Sequence, residues 1–69
     1  MSPEKRKVLK RLVKIRLLAE LAEINETYLS QIINGHRSAG RDLSYRLAHA
    51  ANLLSVQKEF FTPQDFRTE

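Results

Sequence analysis

Glu26, Thr27, Ser30 and Gln31 fall within six consecutive residues, and each ends in a group that can give or take a hydrogen bond. On an α-helix, residues four apart lie side by side, so the four tips share one face. Nothing else in the chain equips that face for covalent chemistry. There is no cysteine and there are two histidines, with no Ser-His-acid arrangement and no glycine-rich phosphate loop. The chain therefore reads as a binding protein and not an enzyme, with no metal, cofactor or small-molecule substrate implied. A polar helix face suits a partner that displays donors and acceptors at fixed spacing, as base edges do in the grooves of a duplex.

Several elements must hold that face in place. Asn25 is a good N-cap, and Glu26 suits the positive end of a new helix. Leu29, Ile32 and Ile33 supply its buried side, and Asn34-Gly35 ends it near residue 34. A preceding helix over about Arg16–Ala22 has Leu18, Ala19, Leu21 and Ala22 as its apolar set, followed by a turn at Glu23-Ile24. Ser2-Pro3-Glu4 starts another helix, with Val8, Leu9, Leu12 and Val13 at helical spacing. Leu9, Val13, Leu17 and Leu21 continue one stripe. Residues 3–23 could thus be one long helix, or two that change direction near Lys14–Arg16.

After the polar loop His36–Gly40, a helix over about Arg41–Ala51 turns Leu43, Leu47, Ala50 and Ala51 inward. Asn52 can end it. Ser55 can cap a fifth helix running to Phe61, and Thr62-Pro63 repeats the cap-then-proline pattern before one more turn. The expected fold is all-α, a compact bundle of about five short helices in a single domain over residues 1–69.

Charge narrows the choice of partner. Residues 1–16 carry seven Lys or Arg against one Glu, a net charge of +6, while the rest of the chain nets −2. Such an end attracts polyanions: DNA, RNA or an anionic membrane. No stretch approaches the roughly 20 apolar residues of a membrane span, and no clean apolar run follows the basic start, so no signal peptide is expected. The lack of cysteine fits a reducing cytosol.

The stretch 18–35 meets the demands of a helix-turn-helix, with the motif over about 16–34. Ala19 is small where two helices must cross closely. Glu23–Asn25 is a turn of the right length. Ile24 can plug the core from within that turn, and Leu29 and Ile32 can anchor the second helix. Leu18-Ala19-Glu20-Leu21-Ala22, Tyr28-Leu29-Ser30-Gln31-Ile32 and Asn34-Gly35-His36-Arg37 together resemble the phage repressor and Cro type of helix-turn-helix domain, the lambda repressor-like fold. The likeness is good over residues 18–37 and loose over 8–61. It departs from the family at Glu23, where glycine is usual, at Ile15, where glutamine is frequent, and at Ser38-Ala39, where proline often follows.

The resemblance implies a third helix lying in the major groove of double-stranded DNA. Carried over by position, Glu26, Thr27 and Gln31 face the bases, and Ser30 shares their side of the helix. Asn34 and the neighbourhood of Arg16 meet phosphate. Lys14 could replace the contact that Ile15 lacks, and Tyr28, His36, Arg37 and Arg41 are further phosphate candidates. The plainer role for each is a solvated surface side chain. Leu53, Leu54, Val56 and Phe60 exceed what a core of this size requires, so some are candidates for a homodimer interface. The implied protein is a cytoplasmic, prokaryotic or phage-encoded repressor bound to a palindromic operator. A different reading is a protein-interaction module, antitoxin-like or inhibitory, because Glu20, Glu23 and Glu26 put negative charge around the motif. A weaker third is a basic helix lying on anionic membranes.

Overall fold

Four α-helices and one 3-10 turn make up the fold over residues 1–56 and 60–67, the part of the chain that the computed structural model describes. In order they are α1 (Pro3–Leu12), α2 (Ile15–Ala22), α3 (Glu26–Ile33), α4 (Arg41–Ser55) and the turn Pro63–Phe66. No strand occurs among the described residues. Two of the starts follow the side-chain capping expected of them. Ser2 Oγ accepts from the Lys5 N–H at 3.3 Å, and Asn25 Oδ1 accepts from the Tyr28 N–H at 2.7 Å, each satisfying a donor that the first helical turn leaves free.

Residues 3–23 form two helices. Val13 and Lys14 are extended, with φ/ψ of −127°/129° and −74°/121°, although no glycine or proline interrupts them. Packing supplies the reason. With the chain bent here, Leu9, Val13 and Leu18 all enter one core. The long stripe is broken as a result: Leu17 and Leu21 are 43% and 50% exposed. Leu21 therefore leaves the apolar set expected of α2, whose buried residues are Leu18, Ala19 and Ala22.

The C-terminal region departs further from expectation. α4 does not end at Asn52 but runs on to Ser55. Asn52 is a clasp instead of a terminator. Its Nδ2 donates to the Phe61 carbonyl at 2.9 Å, and its Oδ1 accepts from the Phe61 N–H at 2.8 Å. Ser55 lies inside α4, and its Oγ donates to the Ala51 carbonyl at 2.7 Å within the last turn of that helix. The expected fifth α-helix is accordingly absent from the described residues. Val56 stops α4 in the left-handed region, Phe60 and Phe61 are not helical, and residues 57–59 of that expected helix lie outside the described part. The last turn forms at Thr62-Pro63, as the local pattern predicts.

α4 packs against α2, α1 and the C-terminal turn. Phe61 and Phe66 are each 1% exposed and are the largest side chains in the core; full burial of such a side chain contributes about 1.5–3 kcal/mol. Lys5 ties α1 to the same region. Its Nζ donates to the Phe60 carbonyl at 2.7 Å and to Asp65 Oδ2 at 2.8 Å, and it lies 5.1 Å from the centre of the Phe60 ring. Among the described residues no helix is long and apolar enough to cross a membrane.

Candidate nucleic-acid interface

α3 has two faces of opposite chemistry. Leu29, Ile32 and Ile33 are at most 2% exposed and lock one side into the core. On the other side Glu26, Thr27, Ser30 and Gln31 are all exposed, and with Asn34 and His36 they line one open concavity of about 450 Å³. All four residues expected at base edges are thus brought together, along with two of the phosphate candidates. Asn34 Nδ2 makes a long contact of 3.4 Å with Ser30 Oγ, which leaves the amide with donor and acceptor capacity to spare.

The helix ends on either side of the α2–α3 connection set the direction of α3. At the end of α2, the Glu23 N–H donates to the Glu20 carbonyl at 3.2 Å and the Ile24 N–H reaches back to the Ala19 carbonyl at 3.0 Å. This is the Schellman arrangement, and it requires a left-handed residue at Glu23, whose φ is 60°. Ile24 then packs against the core from within the connection. The end of α3 repeats the pattern with Gly35 at φ 82°. The Gly35 N–H donates to Ile32 and the His36 N–H to Gln31, at 3.1 and 2.8 Å. That reversal brings His36 alongside the α3 face.

The remaining phosphate candidates lie off the concavity. Arg37 adds a second N–H bond to the Gln31 carbonyl at 3.2 Å, and its guanidinium sits 5.3 Å from the centre of the half-buried Tyr28 ring. Lys14, Arg16 and Arg41 are exposed at helix N-termini: Lys14 is the N-cap of α2, and Arg41 is the first residue of α4. Free backbone N–H groups at such ends add to the attraction of an anion. Arg16 Nε stands 3.7 Å from Glu20 Oε1 in an exposed pair, too weak to withhold the guanidinium from a stronger anion.

The four residues expected at a dimer interface divide. Leu53, Val56 and Phe60 are 63%, 90% and 36% exposed. Leu54 is half-buried and packs against the core.

Sequence reasoning missed the contribution of Phe66 and Ala39, which join the core from separate parts of the chain. The only local hint was an apolar residue directly after Thr62-Pro63-Gln64-Asp65. It also missed the contact of Arg37 with Tyr28, since residues nine apart across a helix end carry no periodic signal. Comparison with protein-family models, curated proteins and solved structures returns no match for this chain.

Proposed function

We propose that the chain is a sequence-specific binder of double-stranded DNA, acting as a dimeric transcriptional regulator through a helix-turn-helix formed by α2 and α3. The observation that carries this reading is the two-faced α3: its back is locked into the core, and its front gathers Glu26, Thr27, Ser30 and Gln31 in one open polar concavity. A helix anchored on one side with polar side chains on the other is what the major groove admits. Gln31 would read adenine through N6 and N7, and Glu26 would accept from a cytosine amino group. Lys14, Arg16, Arg37 and Arg41 would meet the flanking phosphates, and Leu53, Val56 and Phe60 would join two copies. By its resemblance to the phage repressor and Cro type, the regulator is a repressor of a phage or other mobile-element operon.

The protein-interaction reading rests on three negative charges around the motif. Two of them have basic neighbours within the chain, Glu20 beside Arg16 at 3.7 Å and Glu23 beside Arg46 at 3.9 Å. These neighbours offset part of the negative charge around the motif without holding either partner fast.

Selection from a random duplex pool at physiological salt tests the proposal. The expected product is an enriched motif with two inverted halves about one helical turn apart. Retention without enrichment, vanishing as salt rises, would overturn it. Within the enriched motif, Gln31→Ala is expected to relax base preference at one position of each half. The cost is about 1–3 kcal/mol of discrimination there, read by competition between matched and mismatched duplexes.

A further inference from the structure

The loop that carries His36 and Arg37 is held at two ends. On one side, the His36 and Arg37 N–H groups both donate to the Gln31 carbonyl. On the other, the Ala39 N–H donates to the Phe66 carbonyl at 3.0 Å, and both residues are buried, at 3% and 1% exposure. Phe66 belongs to the C-terminal segment, 27 positions along the chain from Ala39. That segment is in turn fastened at two further places. Asn52 clasps the Phe61 backbone. Lys5 bridges the Phe60 carbonyl and the Asp65 carboxylate, and the same carboxylate oxygen accepts from the Thr62 N–H at 2.9 Å. Nothing in this segment lines the α3 concavity.

We propose that the C-terminal turn Pro63–Phe66 is the positioning device for the loop His36–Gly40, with Phe66 as the residue that holds Arg37 where it can reach a phosphate. The inference rests on the DNA-binding reading and goes beyond it, because it gives a function to a segment that lies off the α3 concavity. Gly40 is fixed as the N-cap of α4, with its carbonyl accepting from the Ser44 N–H at 2.8 Å, but the residues between Gly35 and Gly40 can still sample several positions, and immobilising them on binding costs free energy. Pinning the loop through Ala39 removes much of that cost before DNA arrives. Phe66 acts through the backbone of Ala39 and the core, so it should govern phosphate affinity and leave base choice to α3.

The test measures DNA affinity as a function of salt for the intact chain and for Phe66→Ala, Arg37→Ala and the double variant, on a duplex recovered by the selection above. Each lost phosphate contact lowers the slope of log K against log salt by about 0.9. With the loop unpinned Arg37 no longer engages its phosphate, so Phe66→Ala is expected to lower the slope by about that amount, to leave base preference unchanged, and to cost little further affinity in the Arg37→Ala background. A smaller folded fraction would reduce affinity equally at every salt concentration, so an unchanged slope in Phe66→Ala overturns the proposal. So does full additivity of the two substitutions.

Should Phe66→Ala not fold, Lys5→Met removes a fastening without opening a cavity, and amide hydrogen exchange then gives the reading. Faster exchange at Ala39 with α3 unaffected supports the proposal; unchanged exchange at Ala39 overturns it. This readout needs no DNA. A protein that binds no duplex would defeat the functional reading while exchange still reports whether the turn holds the loop.

Discussion

α2 and α3 end with the same backbone hydrogen bonds but with different residues in the left-handed position. α3 uses Gly35 at φ 82°, and α2 uses Glu23 at φ 60°. A residue with a Cβ gives up roughly 1–2 kcal/mol in that conformation, and glycine gives up about 0.5–1 kcal/mol in unfolded-state entropy instead. The strained choice lies between the two helices of the proposed motif. There Ile24 plugs the core directly behind the strained residue, and Glu23 itself faces solvent beside Arg46. A helix reversal can thus be enforced by the residue after it. With Ile24 half-buried against the core and α3 anchored by Leu29, Ile32 and Ile33, the turn closes even without the residue that closes it most easily. Val56 is a third left-handed residue, at φ 56° and 90% exposed, where branching at Cβ makes the strain greatest.

The difference between the two helix ends is probed most severely at Gly35. No atom would lie within 4 Å of an added Cβ, so the penalty there is one of backbone conformation alone. Gly35→Val is expected to destabilise the fold by about 2 kcal/mol, read by urea unfolding. If stability is unchanged, the left-handed cost is not what separates the two ends.

Val56→Gly is expected to do the reverse and stabilise the monomer by about 1 kcal/mol, a rise in melting temperature of roughly 4–8 °C for a domain of this size. The same substitution should weaken self-association measured by sedimentation, since it removes the most exposed member of the apolar group Leu53, Val56 and Phe60. A gain in stability with undiminished association would remove Val56 from the proposed interface. Such a trade, in which a strained residue is kept for contact with a partner, is familiar at functional sites.

Glu23→Gly should stabilise by less, about 0.5 kcal/mol, because glutamate is unbranched at Cβ. Thermal melts of Glu23→Gly and Val56→Gly side by side test that ranking, and an equal gain from both would refute it. The smallest effect is expected from Arg46→Ala. Its pair with Glu23 spans 3.9 Å with side chains 51% and 82% exposed, so the change should fall below about 0.5 kcal/mol. A larger loss would mean that the ion pair, and not Ile24, holds the α2–α3 reversal.

Much of α3 was legible from its own residues. Asn25 could cap, Leu29, Ile32 and Ile33 repeat at helical spacing, and Gly35 tolerates the left-handed turn, so the grouping of Glu26, Thr27, Ser30 and Gln31 on one exposed face followed from helix geometry alone. The helix start at Ser2 and the turn at Thr62-Pro63 were equally local. Those features depend on interactions within one or two turns of chain, which a sequence displays directly.

Tertiary packing decided the rest. An apolar stripe from Leu9 to Leu21 is compatible with one straight helix, and only the position of the core selects the bend at Val13–Lys14. Asn52 has the chemistry of a terminator, but an Asn inside a helix is retained when its amide satisfies backbone groups elsewhere, here both those of Phe61. The pin between Ala39 and Phe66 joins segments far apart in the chain. Its energy comes from burial and a backbone bond, and neither leaves a periodic mark in the sequence.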